Sequence, residues 1–311
     1  MPLHTREALA LLERTLESAE PCSAWASITH RHMLGAIQAD GHRDLLSGLG
    51  SDEVFAGYSR LLEHYFRWRR HNARWPVRDD VDALDALLWD RNSAADTLYP
   101  GVATFFSQSE LSAAVKQPYR NWSFVTHLEE FYRECRRIKP RAHMFELMVA
   151  HECQRRVPDL LFVGFESVAR ELGVRTTYPF LDVNLLRLVS GLGPSSRYHY
   201  DSGVWWNKMM LRRIAAERVP ATIVARSPSS YTAPFAAWLR EPAFARPTIA
   251  KLKRSRFFEA GLVRRDALTR ILTTMTREPM DRRGNVSPWV NQLWALLTLA
   301  SWYDRYVERR P

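Results

Sequence analysis

The stretch LLSGLGSDEVFAGY, Leu45–Tyr58, constrains this chain's fold more than any other. Its short apolar run ends in Ser-Gly-Leu-Gly, the pattern of a short buried strand opening into a tight loop. A helix is expected to begin near Ser51 and to carry Val54, Phe55 and Tyr58 inward. A strand that turns through two glycines into a helix presents backbone N–H groups at a helix N-terminus, where the dipole favours an anion. Glycine also lets phosphate oxygens approach the backbone closely. Asp52 and Glu53 add carboxylates from which a magnesium ion could bridge to such a phosphate, so the pattern suits magnesium pyrophosphate. The structural alternative is ordinary: Gly-x-Gly before a helix is common, and acids in a first turn often only complement the dipole. The letters SGLG return at Ser190–Gly193, but there they follow a helix, precede Pro194 and carry no carboxylate, so they read as a C-cap and exit turn.

Around this motif the chain reads as helical. Residues 5 to 18 and 23 to 39 have apolar positions at helical spacing, with Ser23 as N-cap of the second. From 59 to 155 helical segments are broken at Pro76, Pro100, Pro118 and Pro140. ESVARELGVRTTYPFLDVNLLRLVSGL reads as a helix, a Gly stop, an extended turn at Tyr178-Pro179 and a further helix from about Leu181. WWNKMMLRRIAAERV reads as one helix ended by Pro220, ARSPSSYTAP as a loop, and 286 to 308 as a last helix. No repeat and no βαβ succession appears, so a doubly wound sheet cannot be assembled from these residues alone.

Composition excludes several classes. With 311 residues, 46% of them hydrophobic and 11 Trp, the chain can bury a sizeable core and is not of disordered type. Its longest apolar stretch near the end, LWALLTLASWY, falls far short of the roughly 20 residues that span a bilayer. Cys22, Cys135 and Cys153 form no CxxC pair, which argues against a disulfide framework or structural zinc and fits a reducing cytoplasm. The net charge of +10 suggests an anionic partner without choosing one.

SGLGSDEVFAGY resembles the SGxGxDExFxGY signature of the asparagine synthetase family, within its ATP-dependent synthetase domain. Three later pieces are similar to the family's and stand in its order. GVRTTYPFLDVNLL resembles the segment read as GxExRxPFLD, KMMLRRIAAERVPATIVAR resembles KxxLR followed by LP and a distal Arg, and NQLWALLTLASWYDRY resembles the closing helix. The resemblance implies activation of a carboxylate by ATP as an acyl-adenylate, then capture by an amine as an amide, with ATP and Mg2+ as cofactors. It implies that Ser47, Gly48, Gly50 and Ser51 cradle pyrophosphate, that Asp52 holds magnesium and that Glu53 buttresses the loop. Asp182 would fix the loop beside the acyl site, Leu49 would stand on the substrate side, and Lys208 and Arg212 would serve the same wall or its packing. Arg226 would face phosphate, where a cation stabilises charge developing on adenylate transfer. The plainer alternatives are that Asp182 only caps the next helix and Lys208 is a solvated helix residue.

The departures are as definite. The family's SGGxDS loop, which grips ATP, occurs nowhere in these residues, and the chain opens Met1-Pro2 rather than with the Cys of a glutaminase. Leu49 occupies a place that holds an acid or Tyr in some members and can neither move a proton nor hold charge. The E and R of GxExR are Arg175 and Thr177, and Pro228 stands where a lysine would approach the adenylate. The expected fold is mostly α, the C-terminal portion of an α/β adenine-nucleotide domain of PP-loop type with few strands retained. Residues 1–311 would form one N-terminally truncated domain, with 1–70 a remnant of its nucleotide-binding part and 71–311 its helical part. The expected function is ATP-dependent amide formation, with peptide macrocyclisation favoured over free asparagine. A partner subunit carrying SGGxDS or a homo-oligomer is expected, and the alternative is a non-catalytic pseudoenzyme or binding subunit.

Rival motifs are weaker. RWRRHNARWPVR, Arg67–Arg78, has the composition of a nucleic-acid or acidic-peptide surface and equally that of an amphipathic helix with a solvated basic face. HECQR at His151 lacks the second His of HExxH, and His30 and His32 do not share a helix face and read as surface residues.

Overall fold

A computed structural model describes residues 5–17, 21, 26–58, 61–62, 64–65, 99, 101, 105–117, 119, 122–201, 204–226, 233–277 and 288–308. The Arg67–Arg78 segment, Pro76, Pro100, Pro118 and Pro228 lie outside the described residues. What is described is mostly helical, with two short two-stranded sheets. None of its helices is long and apolar enough to cross a membrane.

The largest core joins the two ends of the chain. Helix Thr5–Leu16 lays Ala8, Leu12 and Leu16 against helices Pro242–Arg254 and Pro288–Tyr306, in a core that also takes in helix Arg265–Arg277 and the fully buried Trp294, Phe244 and Phe257. A second core packs Tyr99, Phe131, Tyr132 and Phe145 between helices Phe124–Ile138 and Met144–His151. The latter helix starts with a capping box in which His143 and Glu146 satisfy each other's end of the turn.

Helix Met144–His151 runs on into a π-helical stretch, Glu152–Phe162, and returns to α-helix at Val163–Glu171. Pro158 sits inside that stretch. Proline has no N–H to donate and its ring crowds the preceding turn, so an irregular ladder here has an identifiable cause. The stretch carries Glu152 and Arg156 inward, and π segments of this kind often mark functional positions.

A third, smaller core connects this helical column to the motif. Leu34 of helix Ala26–Ala39 packs with Phe165, Val168 and Val174, and Arg31 of the same helix reaches Glu171 through two 2.7 Å hydrogen bonds. His30 therefore is not a surface residue: it packs edge-on against Phe165, 4.9 Å between ring centres, and burial holds its pKa down to about 4.

Strand β1, Asp44–Leu46, pairs in parallel with β2, Arg175–Thr177, in the register Leu45 to Thr176. β2 was not expected, since the extended turn was placed just after it at Tyr178-Pro179 and three residues carry no readable period. The helix Val163–Glu171 stops at Gly173, whose φ of 65° suits the chain reversal into β2. A second correction falls on WWN. Val204–Asn207 is β4, paired antiparallel with β3, Tyr198–Asp201, and the helix begins only at Met209. The break occurs at Lys208, a non-glycine residue in the left-handed region at φ 51°.

Candidate functional site

Four segments distant in sequence meet at the end of β1. The chain leaves the strand through Ser47, whose N–H donates to the Thr177 carbonyl at 2.9 Å, and turns at Leu49-Gly50 into a helix of only one turn, Ser51–Val54. The expected inward positions Val54 and Phe55 are buried, but the helix ends before Tyr58, at Ala56 in the left-handed region. Gly48 is exposed, Leu49 half-buried, and the Leu49 N–H donates to Ser47 Oγ at 3.3 Å.

Gly50 shows why glycine stands there. Its φ is 94°, and a Cβ on it would lie 2.5 Å from Leu181 Cδ2. The loop thus presses on the Pro179–Leu181 turn that follows β2. Asp182 closes that turn and caps helix Val183–Ser190, accepting from the N–H groups of Asn184 at 2.9 Å and Leu185 at 3.2 Å. Its carboxylate is engaged in capping.

Lys208 enters from the far end of β4. Its Nζ lies 2.8 Å from Asp52 Oδ1 and 3.1 Å from Ser51 Oγ, so an ammonium, a carboxylate and a hydroxyl converge on one point. The ion pair is partly exposed, at 25% for Lys208 and 36% for Asp52. Beside it, the buried Asn207 donates through Nδ2 to the Gly57 carbonyl and accepts from Arg212. Arg212 also donates to the backbone carbonyls of Asn207 and Val224, and its guanidinium stacks over Trp206. Arg226 joins this arrangement through its carbonyl, 3.5 Å from Arg212, and is itself exposed.

Glu53 turns inward, away from the Asp52–Lys208 pair. It is 1% exposed, and Oε1 accepts from the Tyr58 hydroxyl at 2.7 Å and from Arg156 Nη1 at 2.5 Å. It lies under the loop rather than at its mouth, which leaves Asp52 as the carboxylate that could hold a metal there. Arg156 also donates to the Tyr58 hydroxyl at 2.6 Å and lies over that ring, 4.5 Å from its centre. Its Nε is 3.6 Å from Glu152, which is fully buried and accepts from Tyr99. Burial opposes the charge on Arg156, but Tyr58, Glu53 and Glu152 outweigh it and raise its pKa. Burial and then the two glutamates push Cys153 up to about 12, so its thiol stays protonated and is no nucleophile.

Glu152, Arg156, Asn207 and Gly57 were given no role by sequence reasoning. Only the four-residue spacing of Glu152 and Arg156, the second of which directly follows HECQR, could have signalled a pair. The His of that motif is caged by Tyr99, Phe131 and Tyr132, and burial, with Arg155 adding, lowers its pKa to about 4. In the unfolded chain a histidine binds its proton near pH 6.5, so stability is expected to be full above that value and to fall toward pH 4. At pH 5 the loss is roughly 2 kcal/mol for His151. Chemical denaturation at pH 7.5 and 5.0 measures it; a His151→Phe variant keeping the whole slope would assign it elsewhere.

Where the GxExR acid would stand, Arg175 is 80% exposed and makes a two-pronged pair with Asp44 at 2.8 and 2.9 Å. The family model described as asparagine synthase matches residues 1–304 of the chain. No curated protein matches it, and no solved structure does.

Proposed function

The chain belongs to the asparagine synthase family, an ATP-dependent synthetase-like family, and from that premise we propose that the site at the end of β1 is the pyrophosphate half of an acyl-adenylate-forming amide ligase. The observation that carries this reading is the convergence of Ser51, Asp52 and Lys208 from segments 156 positions apart, within 3.1 Å of the lysine nitrogen. In the proposed reaction a substrate carboxylate oxygen attacks the α-phosphorus of ATP, the bond to the β-phosphate oxygen breaks and pyrophosphate leaves. An amine then attacks the acyl carbon, loses its proton, and AMP departs with the bonding pair.

Ser51 Oγ and Lys208 Nζ would bind the departing pyrophosphate, the lysine as a point charge and the hydroxyl as an orienting donor. Asp52 fits a magnesium ion, which usually takes one or two carboxylates and leaves its other positions to phosphate and water. Bound there, the metal would neutralise charge accumulating on the pyrophosphate. Ser47, Gly48 and Gly50 would line the cradle, with Leu49 and Asp182 toward the acyl substrate and Arg226 facing phosphate.

The ATP-gripping half is proposed to come from an SGGxDS segment outside these 311 residues. The thin covering of the region around the site supports this: Leu46 in β1 is 75% exposed, and Leu188 and Ile223 are 60% and 59% exposed. Parallel strands are ordinarily covered on both faces. We take the domain as the helical remainder of a PP-loop-type fold and the amine as part of the substrate, which favours macrocyclisation.

Calorimetric titration of the chain with pyrophosphate and magnesium tests the half-site, with Asp52→Ala expected to weaken binding at least tenfold. Equal binding by both proteins would refute it. A second reading, a binding subunit without turnover, is favoured by the exposed Arg175 at the acid's place. It predicts pyrophosphate binding but no AMP release when the SGGxDS partner is added.

A further inference from the structure

We infer that Arg156 is a positioning residue for this site, holding Asp52 in place from beneath through Glu53. The inference rests on the pyrophosphate reading above. Asp52 and Glu53 are neighbours in a single helical turn, so their side chains leave the axis about 100° apart and fixing one direction fixes the other. A helix of one turn has no stability of its own. Its outward carboxylate is therefore aimed by whatever holds the inward one, and that is the Arg156 guanidinium with the Tyr58 hydroxyl.

Arg156 is in turn held from three sides. Glu152 lies behind it with Tyr99 donating to that carboxylate, the Tyr58 ring lies beneath it, and the Tyr58 hydroxyl bridges it to Glu53. Glu53 and Glu152 are at most 1% exposed and face one guanidinium, an arrangement costly to bury that hydrophobic residues of similar size would replace without loss of stability. What apolar residues would not supply is direction: Nη1 of a planar guanidinium laid over the Tyr58 ring donates to both the Glu53 carboxylate and the Tyr58 hydroxyl, which fixes angles that packing leaves free. Arg156 stands on the π-helical stretch and its hydrogen bonds go to Glu53 and Tyr58, so it acts through Glu53.

The test uses the full chain with inorganic pyrophosphate and magnesium. Arg156→Lys keeps the charge but loses the planar group that lies over the Tyr58 ring between the two glutamates, and its pyrophosphate Kd is expected to rise about tenfold while the protein stays folded by circular dichroism. Asp52→Ala placed in that background is expected to cost much less than in the native chain, because its carboxylate is already misplaced. A residue serving stability alone would lower the melting temperature, leave the Kd of the folded protein unchanged and leave the Asp52→Ala penalty whole; that result overturns the inference. Should Arg156→Lys fail to fold, Tyr58→Phe keeps the ring and removes the bridging hydroxyl: a raised Kd supports the role and an unchanged one refutes it. No pyrophosphate binding by the native chain would remove the underlying reading and this inference with it, whereas binding that ignores Arg156 removes this inference alone.

Discussion

Gly57→Ala is expected to weaken magnesium pyrophosphate binding by about 10- to 100-fold, the scale of losing a charge-assisted contact. A Cβ at Gly57 would overlap Asp52 Oδ1 and stand 2.5 Å from Lys208 Cε. Neither side chain can stay where it is, and their 2.8 Å contact is the centre of the proposed site. Backbone strain does not enter, because Gly57 is not among the residues with positive φ. The substitution therefore displaces the Asp52–Lys208 pair without forcing a new conformation on the chain. Its effect should appear in pyrophosphate titration, while the melting temperature changes little. Gly193→Ala, in the second SGLG, is the control: a Cβ there meets nothing within 4 Å. Native affinity in Gly57→Ala would mean that pyrophosphate does not bind at Asp52 and Lys208.

The contrast between the two SGLG copies was legible because each depends on its immediate neighbours. The first follows a strand and precedes acids; the second ends helix Val183–Ser190 and runs into the Pro194–Ser196 turn. The Asp182 cap was readable for the same local reason. Lys208 meeting Asp52 was not, since nothing in KMMLRR states which residue 156 positions earlier it faces. The strand at Val204–Asn207 was read as helix because Trp205 and Trp206 extend the apolar pattern of Met209–Ala216 backward. Its true partner, Tyr198–Asp201, is chosen by pairing that no short window contains. Glu53 was the ambiguous residue. A carboxylate in a first turn faces solvent on dipole arguments alone, and only the arrival of Arg156 from another helix turns it inward.

Gly50→Ala is expected to be the most disruptive single change in the loop, because it adds two costs that Gly57→Ala keeps apart. An L-residue at φ 94° costs about 1–2 kcal/mol, and forcing a methyl into packed space typically costs about 1–3 more. The clash is with one side chain, Leu181, at 2.5 and 2.6 Å from Cδ2 and Cγ. Denaturant unfolding should show a loss of roughly 2–5 kcal/mol for Gly50→Ala, accompanied by weaker pyrophosphate binding. The double variant Gly50→Ala/Leu181→Ala separates the parts, since contacting residues are non-additive where distant ones are not. Removing Leu181 relieves the clash but not the backbone cost, so the double variant should be more stable than the sum of the single losses allows, yet remain below Leu181→Ala alone. Strict additivity would mean that Leu181 moves aside freely. Coupling would establish that the pyrophosphate loop and the turn ending at the Asp182 cap are fitted to each other. On the proposed reading, an acyl group beside one would then be registered against a phosphate at the other, which is what joining carboxylate to nucleotide requires.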